Sequence, residues 1–292
     1  MLAMKNITVV VHGATGIQGA PVVRKLLAAG HRVRAAVRNT SASGLHPNAE
    51  PVFADFSAPE SLAEAYAGAD AVVVQLPLVF AAHAVLHAEA VLSALKSSGV
   101  PRVVFNTGGV VATEPVGVPF VDARVLLAAE LPGTVEVATV IAPALTYMEN
   151  LAAPWSAPRV VSGEIAYPLP AELPVPWVAL DDLGAAIAEL STAPAPPMLQ
   201  IVSGPQVLTG EQVATELAAA LGREVRWSTI DPGEYEQMLA PRLGAEAAAG
   251  IAAAYTPPPQ DAPPAPAPDP AVVKVGTTTL RDWAMRQSWH RP

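Results

Sequence analysis

Residues 7 to 30, ITVVVHGATGIQGAPVVRKLLAAG, constrain the fold more than any other stretch of this chain. Ile7 to Val11 is a β-branched run, short and almost wholly apolar, as expected of a strand buried on both faces of a parallel sheet. Glycines at 13, 16 and 19 follow at once. Val22, Val23, Leu26 and Leu27 then recur at helical spacing, and Gly30 is a helix stop. A strand that passes through spaced glycines into a helix is the start of a βαβ unit. Gly13 permits the tight turn, Gly16 lets an external group approach the backbone, and Gly19 lets the helix press on the strand. The start of such a helix presents unpaired N–H groups and a positive dipole end, which favour a phosphate. Gly13, Thr15, Gly16, Ile17, Gln18 and Gly19 are therefore the expected cradle for a dinucleotide.

The rhythm continues. Further strands are expected at Val33–Val37, 51–54, Ala71–Leu76, Arg102–Phe105 and Val135–Ile141. Helices are expected between them: from a Ser57–Glu60 capping box to Tyr66, over 82–97, and over 121–131. Alternation of this kind predicts right-handed crossovers and a doubly wound parallel α/β sheet of Rossmann type over residues 1–150. Residues 151–292 read as a smaller α/β substrate lobe, completed by interleaved segments. In it VVSGEIAYPLP (160–170) suggests a hairpin or irregular strand, and LQIVSG (199–204) a strand. Helices are expected from Asp181 and from a Thr209–Gln212 capping box. The segment 255–270, YTPPPQDAPPAPAPDP, suits an extended polyproline loop.

Composition narrows the function. Hydrophobic residues make up 51% of the 292 and charged residues 15%, which supports a sizeable core. A net charge of −9 with no basic cluster argues against nucleic acid as a partner. The absence of cysteine excludes disulfides, thiolate metal sites and cysteine nucleophiles. No leader-like or membrane-spanning run stands out, so a cytoplasmic protein without a membrane partner is expected. His83 and His87 share a helix face, but no further ligands can be placed beside them, and no metal is expected.

Other residues extend the cradle. A site selecting NAD would carry an acidic residue about 20 positions past the loop, to bind the ribose 2′-hydroxyl. This chain has AAVRNTS there, and Arg38 suits a 2′-phosphate, with Thr40 and Ser41 nearby. NADP is therefore the expected cofactor. Asp55, with Phe56 beside it, could receive the adenine amino group or cap its own turn. Gln75, Leu76 and Pro77 close the fourth strand at the edge where such sheets bind ligands. Asn106 and Thr107 end the fifth. Tyr147 and Asn150 follow the sixth, and Trp155 adds apolar surface.

HGATGIQG, AAVRN, ADFSAPESL, IAPALTYMENL, WVALDDLGAAIAEL and SGPQVLTGEQVATELAAALGREV, in that order, resemble the NmrA-like group of atypical short-chain dehydrogenases/reductases. The likeness covers nearly the whole chain. It implies a Rossmann fold and an NADP site. The group contains quinone and isoflavone-type reductases and also NADP-binding regulators without redox turnover. Short-chain reductases usually carry Tyr-x-x-x-Lys on the helix after the fifth strand; Phe120 and Arg124 hold that spacing here. Phenylalanine has no proton to give, and arginine stays protonated.

Three readings stand at this point. The first is an NADPH-dependent reductase of an apolar quinone or carbonyl compound, working as a monomer or homodimer. Tyr147, Asn106 and Arg124 are its catalytic candidates, and Thr107, Phe120, Tyr147, Asn150 and Trp155 its substrate wall. The second is a non-catalytic NADP(H)-binding redox sensor. The third is a non-redox biosynthetic enzyme on the same fold.

Overall fold

A computed structural model describes residues 6–109, 112–144, 146–256 and 268–289. The expected polyproline loop has its centre, residues 257–267, outside the described residues. The chain forms two compact units, Met1–Pro143 with Leu180–Val202, and Ala144–Ala179 with Ser203–Pro292. The chain thus leaves the first unit after Pro143, returns to it over Leu180–Val202 and leaves it again.

The first unit is built on the strands β1 (Thr8–His12), β2 (Arg32–Val37), β3 (Glu50–Phe53), β4 (Ala71–Gln75), β5 (Arg102–Asn106) and β6 (Val137–Pro143), with β10 (Leu199–Ser203) arriving from later in the chain. They lie in the order β10-β6-β5-β4-β1-β2-β3 and pair in parallel. The helices are α1 (Gly19–Ala28), α2 (Pro59–Tyr66), α3 (His83–Ser98), α4 (Pro119–Glu130) and α6 (Leu180–Thr192). The side chains of a strand alternate between the two faces of the sheet. Val10, Val72, Val74, Val103 and Phe105 point to one face and pack with Leu62, Tyr66, Val91, Leu95 and Leu127 of α2, α3 and α4. Helices α1 and α6 pack together. Burying each Val, Leu or Phe stabilises the fold by about 1.5–3 kcal/mol. This two-sided burial explains the three successive valines, Val9–Val11, at the centre of β1.

Two expectations change here. LQIVSG forms β10, which pairs in parallel with β6 from Leu199 opposite Val140 to Val202 opposite Pro143, so it belongs to the main sheet. The Ser57–Glu60 capping box does not form. Helix α2 starts at Pro59 with no side-chain cap, because the Ser57 hydroxyl and N–H both donate to Asp55 Oδ1.

The second unit begins with β7 (Thr146–Tyr147), α5 (Ala157–Ser162), β8 (Glu164–Tyr167) and β9 (Val175–Val178). It resumes with β11 (Val207–Leu208), α7 (Gly210–Leu221), β12 (Arg226–Thr229), α8 (Pro232–Leu243), α9 (Ala245–Ala253), β13 (Val273–Val275) and α10 (Leu280–Met285). Residues 160–170 make no hairpin: their start completes α5, and β8 pairs in parallel with the distant β12. The Thr209–Gln212 capping box of α7 forms as expected. Trp177, Tyr167, Tyr235, Leu217 and Leu239 centre this unit's core. Among the described residues no helix is long and apolar enough to cross a membrane.

Gly184 sets the spacing of α1 and α6. A Cβ there would lie 2.6 Å from Pro21 Cβ and 2.9 Å from the Pro21 carbonyl carbon. Gly184→Ala is expected to destabilise the protein by about 1–3 kcal/mol through overpacking, measured as a lower urea midpoint with unchanged slope. An unaltered midpoint would show that α6 shifts without resistance.

Candidate cofactor site

The sheet order places β1 between β2 and β4, so successive crossovers leave β1 in opposite directions. A crevice opens at the carboxyl ends of strands at such a switch point. The glycine loop sits there. Gly13 has φ +63°, a left-handed conformation that favours glycine. Its carbonyl accepts the Gly16 N–H at 2.8 Å. A Cβ on Gly19 would lie 2.2 Å from the same oxygen. Only a glycine lets α1 start so close to β1. Gln18 stands at the N-cap of α1 and makes no side-chain cap, so the first turn keeps its positive end for an external anion. Thr15, Gly16 and Ile17 are exposed around it. A glycine loop of this form at a helix start suits a pyrophosphate.

The parallel pairing of β2 with β3 brings the residues after each strand together. Arg38 and Asp55 are near enough for the guanidinium to stabilise the carboxylate. The Asp55 pKa is held below the usual carboxylate range, first by the Ser57 hydroxyl, then by the Ser57 N–H, with smaller help from Arg38 and His87. Asp55 therefore caps its own turn through Oδ1. The Phe56 ring lies 4.8 Å from that of His12 and 5.5 Å from that of His87. His83 and His87 meet edge to face at 5.2 Å. Among the described residues no three His, Asp or Glu side chains gather as a metal site.

On the other side of the switch point, Gln75 lies beside the loop, with Oε1 3.6 Å from where a Cβ on Gly13 would stand. Leu76 is buried and Pro77 half-buried. Asn106 is buried and ties two loops together. Its Nδ2 donates to Gln18 Oε1 at 2.8 Å, and its Oδ1 accepts the Gly108 N–H at 3.0 Å. Thr107 is buried next to it. Phe120 and Arg124 lie one turn apart on α4. Arg124 Nε donates to the Thr107 carbonyl and Nη1 to the Phe120 carbonyl, each at 2.7 Å. The guanidinium carbon stands 3.4 Å from the centre of the Phe120 ring. Phe120 stacks in turn on Phe80, at 4.5 Å and 13°. The first unit thus gathers the expected residues from Gly13 to Arg124 around one sheet edge.

Tyr147, Asn150 and Trp155 belong to the second unit. Tyr147 is buried at the end of β7, and Trp155 is half-buried against the core of that unit. Asn150 Nδ2 donates to Tyr167 Oη at 3.1 Å, and Tyr167 Oη lies 2.7 Å from Tyr255 Oη. Burial pushes the Tyr167 and Tyr255 pKa values up, so both hydroxyls keep their protons.

His12 escaped the sequence reading, although its place as the last strand residue before the glycines was a usable signal. It is buried, with Nε2 2.7 Å from Tyr66 Oη. Phe80, before α3, was likewise overlooked; only the structure shows it against Phe120.

A doubly wound parallel sheet with a glycine loop at its switch point defines a dinucleotide-binding Rossmann protein. The sequence matches the NmrA-like family over residues 5–256, and the chain belongs to that family. An NAD(P)H azoreductase of Xenophilus azovorans is 32% identical over 236 residues, which cover 79% of this chain and 80% of that one. The Citrobacter sp. triphenylmethane reductase complexed with NADP(H) superposes with a TM-score of 0.71 at 23% identity, over 85% of this chain and 88% of that one. The NADPH-dependent quinone oxidoreductase of Escherichia coli, complexed with NADPH, gives 0.64 at 18% identity, over 94% and 98%.

Burial lowers the His12 pKa from 6.5 to about 4. Between those values the unfolded chain holds a proton that the folded chain does not, so stability falls as pH drops through the window. One such group contributes a slope of at most about 1.4 kcal/mol per pH unit. His12→Gln is expected to make the loss of stability from pH 6.5 to pH 4 shallower in urea unfolding. An equal slope in the variant would assign the acid sensitivity elsewhere.

Proposed function

We propose that this chain is an NADPH-dependent reductase of an apolar, aromatic acceptor such as a quinone, an aryl carbonyl or an azo compound. The observation that carries this reading is the Gly13–Gly19 cradle at the switch point, with Arg38 where an NAD-selective site would hold a carboxylate. The relative named an NAD(P)H azoreductase and the folds of the NADP(H)-complexed reductases support it. The loop backbone and the start of α1 would hold the pyrophosphate. Arg38 would take the 2′-phosphate, and Asp55 and Phe56 would flank the adenine. Gln75, Leu76 and Pro77 would wall the nicotinamide half. When bound, NADPH supplies the hydride.

The residues at the reacting end act mainly by position. Asn106 locks the glycine loop to the loop after β5. Arg124 pins the Thr107 and Phe120 carbonyls and would fix the backbone beside a ribose. Phe80, half-buried and stacked on Phe120, would offer apolar surface to a flat acceptor. With phenylalanine at position 120, no acid stands at the usual place on α4, and Tyr147 is the proton donor we assign. A quinone demands less from that acid than an unactivated ketone, because its reduced oxygen is a weaker base.

Fluorescence titration with NADPH and NADH tests the cofactor assignment. The unaltered protein is expected to prefer NADPH. Arg38→Asp should erase the preference, weakening NADPH by roughly tenfold or more, the equivalent of one hydrogen bond to a charged group. Gly19→Ala should weaken both nucleotides. A native preference for NADH would overturn the assignment.

For the proton donor, Tyr147→Phe should lower turnover of a quinone or azo dye while leaving NADPH affinity unaltered. Undiminished turnover would remove Tyr147 from the chemistry. The second reading, an NADP(H)-binding sensor, is favoured by one observation, the Phe120 ring at the position of the acid. Tight NADPH binding with no oxidation across quinone, carbonyl and azo acceptors would select it.

A further inference from the structure

The first unit holds a second cavity, of about 340 Å³, at the opposite end of the sheet. It is lined where strands begin. His31 immediately precedes β2, Asp70 precedes β4 and Glu136 precedes β6, while Arg102 opens β5. Ser191, near the end of α6, closes it. None of these residues takes part in the cofactor site. His31 is 5% exposed, and its Nδ1 is buried with no hydrogen-bond partner. The imidazole lines the cavity, with Nδ1 itself beneath the surface.

The charged lining groups define the kind of ligand the cavity suits. Arg102 Nη1 donates to the Leu190 and Ala193 carbonyls at 3.0 and 2.7 Å, which anchors the guanidinium. Its Nη2 and Nε edge remains for an acceptor. Burial lowers the pKa of Arg102, as expected of a partly desolvated cation. Asp70 Oδ2 accepts the Thr8 N–H at 2.8 Å, which orients the carboxylate and leaves Oδ1. Glu136 adds a second, exposed carboxylate. Two carboxylates disfavour a simple anion, and a guanidinium disfavours a simple cation. A metal ion is disfavoured too, since no three ligating side chains converge among the described residues. Ile7, Pro101 and Val137 supply apolar wall between the charges.

We propose that this cavity binds a small zwitterion, its carboxylate on Arg102 and its ammonium on Asp70 and Glu136, beside the His31 ring. A short carbon stem fits the apolar wall. Such a ligand sets an opposite charge against each charged group of the cavity. The site is separate from the glycine loop, since its residues lie at the amino ends of the strands and the loop at the carboxyl ends.

The test follows the His31 ring resonances by NMR in the full chain. The probes are the common L-α-amino acids and γ-aminobutyrate, with butyrate and butylamine as single-charge controls. At least one zwitterion is expected to shift the His31 signals saturably, while neither control does. Asp70→Asn and Glu136→Gln, checked by thermal unfolding for an intact fold, should each weaken that binding. Asp70→Asn should do so by roughly tenfold or more. Absence of a saturable shift with every zwitterion overturns the proposal, and so does an equal shift with butyrate or butylamine alone. A shift that survives Asp70→Asn and Glu136→Gln unweakened also overturns it, because binding would then lie elsewhere.

Discussion

The contact on which the first unit depends is between Gly19 and the carbonyl oxygen of Gly13. With hydrogen alone on the Gly19 Cα, α1 begins directly against the end of β1; a Cβ would stand 2.2 Å from that oxygen. The same helix meets α6 at Pro21, where Gly184 permits a second close approach. Two glycines therefore fix α1 from two sides, one at the loop and one at the neighbouring helix. The helix start stays uncapped and turned toward the crevice. Close packing resists continuous deformation, so the orientation of the first-turn N–H groups is set by the core before any anion arrives.

Polar side chains extend this rigidity along the edge of the sheet. Asn106, Arg124 and His12 are buried, and each is hydrogen-bonded to another part of the unit: Gln18 and Gly108, Thr107 and Phe120, and Tyr66. Leaving one of them unpaired would cost more than making the bond returns. Their arrangement is a scaffold first. What it offers a bound dinucleotide is fixed geometry, the form of help that hydride transfer from a cofactor most needs.

Much of the first unit was legible in the sequence because its signals are local. β1 and β4 are buried on both faces and appear as unbroken valine runs, and the glycine spacing marks the turn between β1 and α1. Long-range pairing was not legible. LQIVSG has the composition of a strand in either unit, and only its partner β6 decides that it joins the main sheet. The Ser57–Glu60 pattern failed because Asp55, two residues upstream, competes for the same hydroxyl and N–H. Of the hairpin or irregular strand expected at 160–170, only a strand formed, for a related reason. β8 finds a parallel partner about sixty residues on, and no turn signal encodes such a pairing. In the site, positions were readable while engagements were not. Asn106 and Arg124 read as free functional groups, and the structure shows them bonded to their own chain.

The Arg124–Phe120–Phe80 stack bears most directly on chemistry. A guanidinium over an aromatic face is attracted by the ring quadrupole, and the attraction grows as water is excluded. Phe120 stacks on Phe80 through its ring while Arg124 holds its carbonyl, so residue 120 is fixed by both side chain and main chain. A tyrosine hydroxyl at that position would add a proton donor; phenylalanine keeps the packing and removes the donor. Position 120 on α4 thus carries no hydroxyl. If hydride transfer runs here as proposed, acceptors whose reduced form is already stabilised by conjugation suit the site best, because for them positioning and hydride supply carry most of the barrier.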